Sequence, residues 1–217
     1  MTAPVEIDRG ILELESKIGV KSGFFASLLE EDDWSFVIKL HALFEAACTH
    51  LLLYHFKGEP QLADIVSRIE LSGKPVGKAA ILGRLGLVGK EKRRFLSSLS
   101  ELRNILVHDV RNSEFSLQQY VESMTPEVLR SFAVAFSPTE TLIRKFSEDP
   151  KLKVGFDMKL LEQSDVDAVV ARARCNPKLH IWIAAYNTLT SIVDMYDYSD
   201  YKQWINARAI LDDDDKG

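Results

Sequence analysis

The chain has 217 residues, 46% of them hydrophobic and 27% charged, with a net charge of −5. This is enough chain to bury a core of its own, and the acidic balance excludes a surface that coats nucleic acid generally, though not a local basic patch. Cys48 and Cys175 stand far apart with no CxxC spacing, which points to a reduced, cytoplasmic protein. The first residues have no basic lead followed by an apolar run, so no signal peptide is expected. No 18-residue stretch is wholly apolar, so neither a transmembrane helix nor a membrane partner is expected.

Ile7, Ile11, Leu14 and Ile18 recur at helical spacing and predict a helix over 6–18. Gly19 and Gly23 bracket its end, and 22–30 reads as a short second helix. Asp32 or Asp33 caps the next helix, 34–56, in which Val37, Leu40, Phe44, Ala47, Leu51 and Tyr54 repeat every three or four residues. At 1.5 Å per residue it is a rod of roughly 35 Å, the natural centre of a bundle. Gly58 and Pro60 end it, and 61–69 forms a shorter helix. Pro75 is placed to open a helix over 75–87, and 90–109 is strongly helical.

Ser116 caps 117–124. Thr125 caps the following helix with Pro126 at its first position, and helix resumes beyond Pro138 to 146. The polar stretch 148–153, with Pro150, divides the chain into a bundle over 1–147 and a C-terminal helical extension over 148–211, with helices at 156–163, 165–174 and 177–210. Residues 212–217 form an acidic tail that reads like an added protease-site scar. There is no hairpin signal and no internal repeat. The fold class is all-α, a helical bundle with additional C-terminal helices.

Several groups invite a chemical reading. His41, Glu45, Cys48, His50 and His55 share the long helix, and a metal could use such groups. The paired Glu-x-x-His elements of di-iron bundles are missing and no second ligand-bearing helix is evident, so packing roles are expected and no metal or cofactor. Cys175 and His180 make an equally weak pair. The run from Gly83 to Lys90 imitates a phosphate loop but has one residue too many between its glycines, and Glu91 stands where a magnesium-binding hydroxyl is required.

The segment 72–94 is distinct. Lys74, Lys78, Arg84, Lys90, Lys92, Arg93 and Arg94 face only Glu91, a net +6 that leaves −11 for the rest of the chain. Such polarity is a candidate footprint for an RNA backbone, the alternative being the solvated face of two helices. It leads into the stretch 99–109. On a helical wheel, Phe95, Leu99, Leu102 and Leu106 form a core stripe, while Ser97, Ser100, Glu101, Asn104 and His108 fall on the polar side. Arg103 sits at the stripe's edge, about 140° from His108, so the two side chains diverge in a straight helix. Taken alone, His108 is a favourable cation near a helix C-terminus and Arg103 a flanking residue.

Arg103-Asn104-Ile105-Leu106-Val107-His108 resembles the Arg-polar-x-x-x-His motif of the HEPN superfamily (higher eukaryotes and prokaryotes nucleotide-binding). The resemblance covers roughly 34–120, with the preceding helix HALFEAACTHLLLYHF in place. The stretch LGRLGLVGKEKRRFLSSLSELRNILVHD is similar to the branch containing the mannitol operon repressor. The resemblance implies a homodimeric helical bundle with the motif helices near the two-fold axis. It also implies metal-independent RNA cleavage of the toxin or defence type, with Arg103, Asn104 and His108 as the catalytic set. A histidine can move the protons of phosphodiester cleavage and an arginine can hold the charged phosphate. Toxin-type members often carry a tyrosine two residues after the histidine, where this chain has Val110. The alternative that the same resemblance implies is a non-catalytic regulator of the mannitol-repressor type. An antitoxin or another regulatory protein is then the expected partner. In either case the Arg103–His108 pair is a site only if a helix-end distortion or a second subunit completes it, and the basic segment is expected to line the same cleft.

Overall fold

The long apolar helix is the centre of the molecule. In the computed structural model it spans Asp33–His55 (α3), and Asp32 caps it by accepting from the Ser35 N–H at 2.9 Å. The neighbouring Asp33 has a different role. Its carboxylate accepts the Leu117 N–H at 2.8 Å and pairs with Lys178 at 3.0 Å, tying two later helices to the start of α3. Ten residues of α3 are buried, from Phe36 to Leu52. By length and composition alone α3 could cross a membrane, with a mean hydropathy of 1.5 over its most apolar 18 residues. Its apolarity has a direct cause in the fold, because helices pack around it and a helix apolar on most sides is a core helix.

The structure describes residues 7–57, 60–73, 75–108, 114–137 and 166–214, with side chains up to 201 in the last helix. It is about 78% helical, with no strand among the described residues, as the periodicity predicts. Around α3 stand α1 (Arg9–Lys17), α2 (Phe24–Ser27) with a 3-10 turn at Leu28–Glu30, α4 (Pro60–Arg68) and α5 (Lys78–Arg84). They are followed by α6 (Lys90–Val107), α7 (Leu117–Glu122), α8 (Pro126–Ala135), α9 (Val166–Cys175) and α10 (Pro177–Asp214). The expected caps Ser116 and Thr125 are in place, accepting from Gln119 and Val128 N–H groups. The expected helices at 138–146 and 156–163, the boundary at 148–153, Lys74 and Val110 lie outside the described residues.

One helix start differs from expectation. Pro75 does not open α5; Gly77 is the N-cap and Lys78 the first helical residue. The cause is backbone hydrogen bonding across the turn. Gly77, Lys78 and Ala79 donate N–H bonds to Gly73, Glu70 and Leu71 carbonyls, folding the chain back on the end of α4 before the helix begins. Gly86, at φ 73°, ends α5, with the Leu87 N–H reaching back to the Leu82 carbonyl at 2.9 Å.

The expected division at 147/148 does not divide the core. Leu179, Ile181, Trp182, Ile183, Tyr186, Leu189, Ile192 and Tyr196 of α10 join the same buried cluster as α1, α3, α5 and α6. Trp182 is fully buried, stacks on Phe25 with ring centres 4.8 Å apart and donates its indole N–H to the Phe25 carbonyl at 3.0 Å. At 38 residues α10 is a rod of roughly 57 Å, longer than the bundle's central helix. The helix runs through Asp212–Asp214, so the acidic tail begins as a continuation of it.

A candidate site at the two ends of α6

Helix α6 begins at Lys90 after Gly89, which offers no capping side chain, and runs 18 residues. Its predicted stripe holds: Phe95, Leu99, Leu102 and Leu106 are all buried. Each contributes roughly 1.5–3 kcal/mol of transfer free energy, which fixes the rotation of the helix and hence the direction of its other side chains. Asn104 and His108 face solvent, Arg103 is half-buried, and the Arg103 Nη1 donates to Asn104 Oδ1 at 3.1 Å. No hydrogen bond joins Arg103 to His108 among the described residues. His108, the C-cap, keeps right-handed angles of φ −83° and ψ −9°, so no distortion at that residue turns its ring back toward Arg103. Ile105 and Val107 are exposed beside them, at 49% and 40%.

Ser100 departs from the wheel reading. It is buried, not on the solvent side, because 100° from the stripe's centre is where α3 packs. Its hydroxyl donates to the Leu96 carbonyl at 3.0 Å and lies 3.2 Å from His41 Nε2. His41 Nδ1 in turn lies 4.0 Å from Glu45 Oε2, and the other Glu45 oxygen accepts from Lys78 Nζ at 3.2 Å. Burial lowers the pKa of His41; Glu45 opposes the shift, while the charges of Arg103 and Lys78 add to it. Cys48, fully buried in the same region, has its thiol pushed up to about 12 by burial.

The basic footprint is smaller than the sequence suggests. Lys78 is 1% exposed and paired with Glu45, so it is not an RNA-facing residue. Lys92 is partly buried, which lowers its pKa. Arg84, Lys90, Arg93 and Arg94 remain exposed at the α5–α6 corner. Arg93 lies across Gly83, where a Cβ would stand only 2.5 Å from its Cδ, so the glycine permits this approach. Arg94 and His108 are 14 residues apart along one helix, about 21 Å. Within one copy the basic corner and the Arg103–His108 end therefore occupy opposite ends of α6 and do not line one cleft.

The remaining α3 histidines turn the other way. His50 Nδ1 is hydrogen-bonded to the Tyr196 hydroxyl at 2.7 Å, and His55 Nδ1 to Ser199 Oγ at 2.8 Å. Among the described residues no group of three or more His, Cys, Asp or Glu side chains could hold a metal ion. Cys175 is exposed whereas His180 is fully buried against the Ala133 carbonyl, at 3.0 Å. Both cysteines are free. The sequence offered His41 only as a metal candidate and Ser100 as a solvent-facing residue, and did not pair them; the signal was a polar residue at the edge of each core stripe. No family model, curated protein or solved structure matches the chain.

Proposed function

We propose that the chain is a HEPN-like, metal-independent endoribonuclease that works in the cytoplasm as a homodimer, of the toxin or defence type, with Arg103, Asn104 and His108 in its site. The observation that carries the reading is the far end of α6. Asn104 and His108 are open to solvent, and Arg103's guanidinium is oriented by Asn104. Arginine suits a phosphate whose charge rises in the transition state, and histidine suits proton transfer to or from its ester oxygens. Since the two side chains diverge on a regular helix, a second copy is needed to complete the site. The exposed Val107, one turn beyond Arg103 on the same side of α6, offers an apolar contact for it beside the motif. About a two-fold axis that set the two α6 helices antiparallel, the basic corner of one copy would approach His108 of the other.

The test is cleavage of single-stranded RNA in EDTA. His108→Ala, at an exposed position, should leave the circular dichroism and melting curve unchanged while lowering cleavage by about 100-fold or more. Absence of cleavage by the unaltered protein would remove this reading.

A second reading is favoured by the burial of Lys78 and the separation of the basic corner from His108 within one copy. It is a mannitol-repressor-like regulator that acts through protein contacts. It requires a specific protein partner, retained by His108→Ala.

A further inference from the structure

We propose that His41 is a further catalytic residue of this site, taking the 2′-hydroxyl proton of the RNA strand whose phosphate Arg103 holds. The inference rests on the ribonuclease reading and deepens it. Cleavage through a neighbouring hydroxyl needs two proton-transfer groups, one to take a proton from the 2′-oxygen and one to give a proton to the departing 5′-oxygen. His108 supplies one. Along the chain it diverges from Arg103, whereas His41 approaches α6 on Arg103's own side. His41 Nε2 lies 3.2 Å from Ser100 Oγ, and Ser100 is one turn before Arg103, where residues three apart share a helix face.

The hydrogen-bond directions select the reactive nitrogen. The Ser100 proton goes to the Leu96 carbonyl at 3.0 Å, so its oxygen accepts from His41 Nε2–H. That tautomer leaves Nδ1 with its lone pair. Nδ1 is 4.0 Å from Glu45 Oε2, too far for a hydrogen bond, and the side chain keeps 10% of its surface open. Three charged groups face the ring: Glu45 from α3, Lys78 from α5 and Arg103 from α6. Burial first, and the two cations after it, lower the ring's pKa and so favour the neutral form a base requires. The half-exposed Glu45 carboxylate stabilises the imidazolium once the proton arrives. In the step itself the 2′-oxygen bonds to phosphorus as its proton passes to His41 Nδ1. The bond from phosphorus to the 5′-oxygen breaks, and that oxygen takes a proton from His108 of a second copy. The products are a 2′,3′-cyclic phosphate and a 5′-hydroxyl.

The experiment compares the unaltered protein with His41→Gln on a single-stranded RNA oligonucleotide in EDTA, from acid to neutral pH. The expected result is a loss of about 100-fold in kcat with KM within about twofold. The acid limb of the pH profile, which titrates below the ordinary histidine range in the unaltered protein, should disappear. If His41→Gln cleaves within about threefold of the unaltered protein and keeps that limb, on the same scale of general-base effects His41 is structural and the ribonuclease reading stands without it. If the unaltered protein does not cleave, both fall together. Should His41→Gln fail to fold, the unaltered protein decides by NMR. A 2′-deoxy oligonucleotide, which cannot be cleaved, should shift the His41 ring resonances, and an unmoved His41 overturns the proposal.

Discussion

Two polar seams run along α3, and they are built on different principles. The seam toward α10 joins His50 to Tyr196 and His55 to Ser199, and Tyr54 donates to the Asp200 carboxylate at 2.9–3.0 Å. Tyr54 and Tyr196 meet edge to face, and Lys17 lies over the Tyr196 ring. These contacts, most of them between α3 and α10, align two long helices. The seam toward α5 and α6 joins His41, Glu45, Lys78 and Ser100 around a lysine ammonium that is buried while its carboxylate partner is 40% exposed. Here charge has been drawn inside, and the histidine keeps one ring nitrogen without a short partner. A histidine on a core helix is thus no guide to function by itself; the buried ammonium in His41's surroundings separates the two seams.

The sharpest way to break this contrast is Glu45→Ala. It strands the Lys78 charge, and removing one partner of a buried ion pair costs about 3–4 kcal/mol. Urea unfolding should show that loss, and adding Lys78→Met should recover most of it. If the single variant is as stable as the original, the α5–α6 seam is no more demanding than the α10 seam.

Acid stability sharpens the comparison next. Burial holds the His180 pKa at about 4, opposed by its bond to the Ala133 carbonyl and aided by Arg172. Its unfolded value is about 6.5, so between these pH values the unfolded chain binds a proton that the folded chain does not. Stability from this group is therefore complete above about pH 6.5 and is lost as pH falls toward 4, on the order of 3 kcal/mol in all. His180→Gln should flatten that slope in melting curves taken across pH. His41 and His50, whose pKa values burial also lowers, contribute with the same sign to the slope that remains.

The smallest effect is expected from Tyr196→Phe, which removes one hydroxyl from the α10 seam. About 1 kcal/mol should be lost in urea unfolding, with RNA cleavage unchanged. A change in cleavage would mean that the two seams are coupled through α3.

Where local chemistry decides, the elements were legible in the linear chain. The apolar repeat of 34–56 as far as Leu51, the Asp32, Ser116 and Thr125 caps and the Phe95–Leu106 stripe are properties of residues a few positions apart, and all appear in the fold, whereas Tyr54, the last of the repeat, is exposed. The Arg103–His108 stretch, too, was visible as a helix end bearing polar groups on its open side. Composition misjudged Lys78 and Ser100 because charge and polarity do not reveal whether another helix will cover a residue. It also set α10 apart as an extension, because a polar stretch in sequence is silent about where the next helix returns. By itself the sequence determined which segments are helical, where they are capped and which stripe of each turns inward, since these follow from spacing and local hydrogen bonding. Only the tertiary structure decided that α10 completes the core, that Lys78 is interior and that His41 approaches Arg103's side of α6, because each depends on which helices, distant in sequence, come to lie side by side.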